Sequence, residues 1–174
     1  YDVTAYVSVA DSTGNPIKDL AADAFTLAED SQQVTVLSAD LAPDAPINLV
    51  LLLDTSGSMN GAGIEAAKSA ASNFIAGLGN DDRVAVVTFD NDTKTRIDFT
   101  TDHRAARDEL ELVDATRGAG TCLYDAAYQA VQMTATVPSG RRAVVLFTDG
   151  VDEKADGGVC SIHSADDVIR LATE

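Results

Sequence analysis

Two rhythms of apolar and polar positions divide the chain. Near the start Val3, Ala5, Val7 and Val9 alternate with Thr4, Tyr6 and Ser8, the period of a strand with one buried face. DSTGNP at 11–16 has the composition of a turn. Phe25 and Leu27 alternate again, the polar stretch EDSQQ supplies another turn, and Val34, Thr35, Val36 and Leu37 complete a second hairpin arm. The pattern predicts a small β element over residues 1–40. LAPDAP at 41–46, with its two prolines, then reads as a linker.

From Ile47 to Glu174 the rhythm becomes strand, helix, strand, which predicts an α/β domain. INLVLLL is an apolar run of strand length. After it Ile64, Ala67, Ala71, Phe74, Ile75 and Leu78 recur at helical spacing, predicting a helix over about 62–78 that Gly79 and Asn80 end. RVAVVTF at 83–89 is a second buried strand, and 95–99 a short alternating one suited to an antiparallel edge. Asp102 caps a helix carrying Ala105, Leu110 and Leu112. A third helix spans 122–137, with Leu123, Ala127, Ala130, Val131 and Thr134 on one side, closed by Pro138 and Gly140. Residues 143–147 are another strand. Ser164 opens a last helix with Val168, Ile169 and Leu171, and Asp167 in its first turn. The expected architecture is an open, doubly wound, mostly parallel sheet with helices on both faces and one antiparallel edge strand. Such a sheet normally continues with another strand after the last helix, so the domain reads as C-terminally incomplete, or as one whose edge the N-terminal β element covers.

With 174 residues and 45% hydrophobic content the chain can bury a full core. Trp is absent and aromatics are only 5%, so that core rests on aliphatic side chains, as suits a parallel sheet under helices. The formal charge of −16 repels polyanions and excludes nucleic acid as an expected partner. No apolar run approaches the roughly 20 residues that span a bilayer, so membrane insertion is not expected. The chain starts at Tyr1 without an initiating Met, which fits a cleaved leader and an excised fragment equally well. Cys122 and Cys160 are too few for a disulfide scaffold and lack metal-ligand spacing; they read as a bridge worth about 4 kcal/mol in an exported protein, or as two buried thiols.

The candidate chemistry lies where apolar runs stop at acids. LLLDTSGSM at 51–59 ends its run at Asp54 and then spaces two hydroxyls, Ser56 and Ser58, one residue apart. A second run ends at FTDG with Asp149, and between them the glycine-rich GAGTCLYDA carries Thr121. In an open α/β sheet the ligand crevice lies beyond the carboxyl ends of the strands, where Asp54 and Asp149 would stand. Two carboxylates and three hydroxyls are all oxygen donors, the set that suits Mg²⁺, Mn²⁺ or Ca²⁺. Taken singly, Asp54 also reads as a strand-end acid capping the next helix, and Ser56 and Ser58 as turn residues. Met59 reads as an apolar plug beneath the loop. Asp125 reads as a first-turn acid or a hydrogen-bond partner of the site's outer shell.

These residues, in this order, resemble the von Willebrand factor type A domain, the integrin inserted-domain fold, with its metal-ion-dependent adhesion site. The resemblance covers about 47–174 and rests on Asp54, Ser56 and Ser58 as the aspartate-x-serine-x-serine motif, Thr121 as the distant threonine and Asp149 as the final aspartate. It implies that Ser56, Ser58 and Thr121 contact the ion, that Asp54 and Asp149 act directly or through water, and that an Asp or Glu from a protein partner fills an open position. By the same fold, the loops carrying Cys122 and Cys160 come to one end of the sheet, which favours the bridge. ADAFTLAED at 22–30 is similar to the β segment that precedes this domain in certain bacterial secreted or surface proteins.

Asp54-Thr55-Ser56 after an apolar run also looks like the catalytic strand of an aspartic protease, but that enzyme needs two carboxylates sharing a proton on an all-β framework. A phosphoryl-transfer aspartate would want a second acid where Ser56 stands. His103 reads as the start of a helix and His163 as part of the loop after Asp149; neither is arranged with a nucleophile. The expectation is a non-enzymatic, divalent-cation-dependent protein-binding module, secreted or at a cell surface. Loops 60–63, 91–94 and 152–161 would select its partner. The alternative is a structural or assembly module whose ion orders its own loops or a neighbouring domain.

Overall fold

In the computed structural model, which describes residues 3, 5, 7–40 and 46–173, the chain forms two units, Tyr1–Ala45 and Pro46–Glu174. In the first, β1 (Leu27–Glu29) and β2 (Gln32–Val34) pair antiparallel with Leu27 opposite Val34. Asp30 and Ser31 turn the chain at φ 48° and 67°, the left-handed pair that a two-residue hairpin loop requires. The turn is tighter than the sequence suggests, and of the expected arm 34–37 only Val34 lies in the ladder.

The strand expected over 3–9 is a correction. Its described residues form no strand, Val3 and Val7 are exposed, and Thr4 and Tyr6 lie outside the described residues. Alternation makes a strand only when a second surface covers the apolar face, and none of the described residues of this unit is buried. Polar turn chemistry organises the segment instead. The Asp11 carboxylate accepts from Thr13 Oγ1 (2.7 Å), Thr13 N (2.8 Å) and Asn15 N (2.9 Å), bonds that hold it well below the usual carboxylate range. A single bridge joins Ala10 to Pro16 across that turn. Of the expected linker 41–46, residues 41–45 lie outside the described residues.

The second unit is a four-stranded sheet. β3 (Ile47–Asp54) and β4 (Arg83–Phe89) run parallel, β5 (Thr93–Thr100) lies antiparallel on the outer side of β4, and β6 (Arg141–Phe147) lies parallel on the other side of β3. β3 is apolar almost throughout because both of its faces are covered. Leu49, Leu51 and Leu53 pack with Ile64, Ala67, Ala71 and Ile75 of α1 (Ala62–Ala76) and with Ala106 and Leu110 of α2 (His103–Glu111). Val50 and Leu52 pack on the opposite face with Ala126 and Ala130 of α3 (Leu123–Ala135), against which α4 (Ala165–Thr173) lies. Each fully buried aliphatic side chain contributes about 1.5–3 kcal/mol, so β3 is the anchor of the domain. The helical stripes are narrower than the sequence suggests: Phe74 is 42% exposed, and Leu112 lies just past α2 and is exposed.

Caps set the helix ends. Asp102 accepts from Ala105 N at 3.0 Å before α2. Ser164 Oγ accepts from Asp167 N, while the Asp167 carboxylate accepts from Ser164 N and Oγ, a reciprocal box before α4. The crossover from β3 through α1 to β4 covers one face, and the return through α3 to β6 covers the other. β3 therefore sits at the point where strand order reverses, and the crevice of such a sheet opens at the carboxyl ends of β3 and β6.

Candidate metal centre

Asp54 is the last residue of β3 and is fully buried. Its Oδ1 accepts from Ser56 N at 2.8 Å and its Oδ2 from Thr148 Oγ1 at 2.6 Å. A 3-10 turn, Gly57–Met59, follows, with Met59 buried in the core beneath it. Ser56 Oγ and Ser58 Oγ share a hydrogen bond of 3.1 Å, and Ser58 Oγ donates to Asp149 Oδ1 at 2.9 Å. Asp149, two residues beyond β6, is thereby linked to the loop leaving β3.

Thr121 reaches the same place from a loop tied down at many points. Thr116 N donates to Thr55 O (2.7 Å), Gly57 N to Ala119 O (3.1 Å), Gly120 N to Asn91 Oδ1 (3.0 Å) and Cys122 N to Asp90 O (2.8 Å). Thr121 and Glu153 exchange backbone bonds of 2.7 and 3.0 Å. Gly120 has to be glycine, since a Cβ there would lie 2.6 Å from Glu153 O. Convergence shows best at Gly150, where a methyl would sit 3.6 Å from Thr121 Oγ1 and 3.9 Å from both Asp54 Oδ2 and Ser58 Oγ. The structure thus brings all five candidate donors to one end of the sheet.

The long loop after Asp149 is fastened to the start of α3. Cys122 and Cys160 form a disulfide, Cα atoms 4.8 Å apart, a normal separation for a bridge. Asp152 accepts from Cys160 N and Ser161 N, each at 3.0 Å, and from Ser161 Oγ. Asp125 accepts from Ile162 N (3.1 Å), His163 N (2.9 Å) and His163 Nδ1 (2.7 Å), and the His163 ring stacks on Tyr128 with centroids 3.9 Å apart. Partial burial pulls both carboxyls up, but hydrogen bonds outweigh it: those from His163 and Ile162 hold Asp125 below its ordinary value, and those from Ser161 and Cys160 hold Asp152 below its own.

Sequence reasoning expects the disulfide of this clasp but not its two carboxylate anchors. Asp125 sits in the first turn of its helix, as expected, and binds the amides of Ile162 and His163 and the His163 ring in a distant loop, while the sequence marks Asp152 only as the start of a partner-selecting loop. The signal was available in the spacing: Asp152 and Cys160 bracket a loop containing Gly157 and Gly158, and Cys122 with Asp125 opens the helix to which that loop is tied. His103 does begin α2, and its Nε2 lies 2.8 Å from Asp82 O.

The donor set is chemically suited to a small hard cation. Among the described residues no group of three or more His, Cys, Asp or Glu side chains is placed to hold a metal; here two carboxylates stand with three hydroxyls. No lysine, arginine or histidine pairs with Asp54 or Asp149 among the described residues. A fully buried carboxyl with two hydrogen bonds and no cationic neighbour is the kind of group that a bound cation compensates. The protease alternative lacks its geometry, because Asp54 and Asp149 are bonded to different hydroxyls and do not share a proton.

Fold and site together define an open α/β domain with an oxygen-donor crevice at the carboxyl ends of its strands. A model of the von Willebrand factor type A domain matches residues 49–151, and the chain belongs to that family. An uncharacterised protein of Synechocystis sp. is 34% identical over 116 residues, covering 66% of this chain and 28% of that protein; the chain thus spans little more than a quarter of that relative. Among solved structures, the von Willebrand factor type A protein of Catenulispora acidiphila superposes with a TM-score of 0.60 at 24% identity, over 73% of this chain and 30% of that one. The von Willebrand factor domain of the type V pili tip protein from Porphyromonas gingivalis gives 0.56 at 24% identity, over 63% and 40%. The PilB minor pilin of Streptococcus sanguinis gives 0.56 at 16% identity, over 73% and 36%. At identities this low the likeness is one of fold.

Proposed function

We propose that this domain is a non-enzymatic protein-binding module of a secreted or cell-surface assembly, built around a divalent cation held by Asp54, Ser56, Ser58, Thr121 and Asp149. Mg²⁺ suits the site best, with Mn²⁺ or Ca²⁺ as substitutes. The observation that carries the reading is the convergence of Asp54, Ser58 and Thr121 oxygens on one point beside Gly150, with no cationic side chain among the described residues paired with the buried acid. A surface setting is supported by the disulfide, which persists in oxidising compartments, and by the pilus proteins among the structural relatives. A non-enzymatic role is supported by where the reactive groups go: Cys122 is consumed in the bridge, and His163 is engaged with Asp125 and Tyr128.

Those pilus relatives favour assembly as the task, with the ion ordering the crevice loops against a neighbouring subunit. Exposure of Ser58 and Asp149 supports a second form of the reading, in which the ion is presented to an Asp or Glu of a separate ligand. Calorimetric titration with Mg²⁺ tests the shared part, and Asp54→Ala is expected to abolish the heat of binding while the far-UV circular dichroism stays native. Unchanged affinity in that variant would move the ion elsewhere. Chelation lowers the melting temperature in either form, because any ion bound only by the folded domain stabilises it; partner capture separates them, since a presented ion loses a separate acidic ligand on addition of EDTA, whereas an ordering ion has no such ligand to lose.

A further inference from the structure

We infer that residues 151–162 form a rigid apolar platform beside the crevice, and that its occupant is a basic protein segment carrying one carboxylate between aliphatic side chains. The inference rests on the protein-binding reading above and names the partner's chemistry.

Val151, Val159 and Ile162 are 70%, 69% and 89% exposed, and side chains this exposed are free to move unless their loop is restrained. This loop has little such freedom. Glu153 is paired with Thr121, Cys160 is bridged to Cys122, Asp152 holds Cys160 and Ser161, and Asp125 holds Ile162 and His163. Restraints on both sides of Val159 and Ile162 fix these side chains outward, and a preordered apolar surface binds without the entropic cost of ordering it. The same restraints make the platform continuous with the crevice, because Glu153 and Cys160 are tied to Thr121 and its neighbour Cys122.

Charge decides what fits. Glu153 and Asp156 of this loop are exposed against one exposed cation, Lys154, and Asp92 and Asp149 are exposed at the same end of the sheet alongside Lys94 and Arg117, within a chain of net charge −16 that leaves the balance acidic. An acidic partner is repelled at long range by the net negative charge. A basic segment is drawn in, its aliphatic side chains cover Val159 and Ile162, and a single carboxylate completes the ion.

The test uses a lysine-rich peptide with one central glutamate flanked by leucines, read by fluorescence anisotropy in Mg²⁺ and in EDTA. Val159→Ser with Ile162→Ser is expected to weaken binding at least about 10-fold while the Mg²⁺ titration and the melting temperature stay unchanged. Replacing the leucines by serine should cost as much. Mg²⁺-dependent binding that ignores both changes overturns the platform and leaves the metal reading standing. Absence of peptide binding to a Mg²⁺-loaded domain also overturns it. Binding that survives EDTA yet is lost in the double variant supports the apolar platform and overturns the carboxylate contact with the ion, while the Mg²⁺ titration of the domain alone decides the metal reading.

Discussion

The two sides of the crevice are held by different physics. The loop leaving β3 inherits its position from the most buried strand of the domain: Asp54 and Ser56 are buried, Met59 plugs the core beneath them, and backbone bonds set the turn. On the opposite side the Thr121 loop is pinned by bonds to Thr55, Gly57, Asp90 and Asn91, but residues 150–163 have no such anchor. This exposed loop is fastened by one disulfide, two carboxylates and a short backbone pairing. A site wall grown from a strand is as stable as the core, whereas a wall made of polar clasps answers to redox state and acidity, which a hydrophobic core ignores.

Removing the bridge should sharpen that contrast most. Cys122→Ser with Cys160→Ser is expected to lower unfolding free energy by about 2–4 kcal/mol in urea titrations. Mg²⁺ affinity should fall no more than about 10-fold, in the range of an outer-shell change, because Glu153, Asp90 and Asn91 still hold the Thr121 loop. Loss of Mg²⁺ binding as complete as that expected for Asp54→Ala would break the comparison by showing that the clasped side has no support but the bridge. Gly120→Ala comes next. Its Cβ would meet the backbone at Glu153 and Lys154, which cannot yield as a flexible side chain would. A cost of about 1–3 kcal/mol is expected, as for other overpacking, together with weaker Mg²⁺ binding as Thr121 shifts. Gly157→Ala, with no heavy atom near its Cβ, should strain only its own backbone and spare the ion.

The same division governs what could be read from the residues alone. β4 begins and ends at the residues expected, and β3 extends its apolar run only by Asp54, because a fully covered strand announces itself as an unbroken apolar run ending at a charged residue. The two acids at strand ends and the three hydroxyls were visible for the same reason. Strand order was not visible, since nothing local in β6 says that it lies beside β3. Val3 to Val9 misled because alternation reports a face fit for burial without reporting whether anything covers it. Asp125 and Asp152 were underread for another reason: most of their donors are backbone amides of a distant segment, which every sequence possesses, and the side-chain donors His163 and Ser161 come close only once that loop is folded.

Acid should dissolve the clasp with a smaller effect than loss of the bridge or Gly120→Ala. Asp125 and Asp152 both have native values below the ordinary 3.8. A carboxyl whose native value is lowered contributes stability that is fully present above its unfolded value and is lost as the pH falls through the native one. The contribution of both acids is therefore intact above about pH 5 and drains away below 3.8 as protonation removes the acceptors for Ile162, His163, Cys160 and Ser161. Urea midpoints measured across that interval should fall with pH in the wild type. Asp125→Asn should start lower at neutral pH and lose part of the slope, because the group that binds the extra proton in the unfolded state is gone. An unchanged slope would mean that Asp125 does not hold the loop in solution, and the clasped wall would then stand on its disulfide and on Asp152.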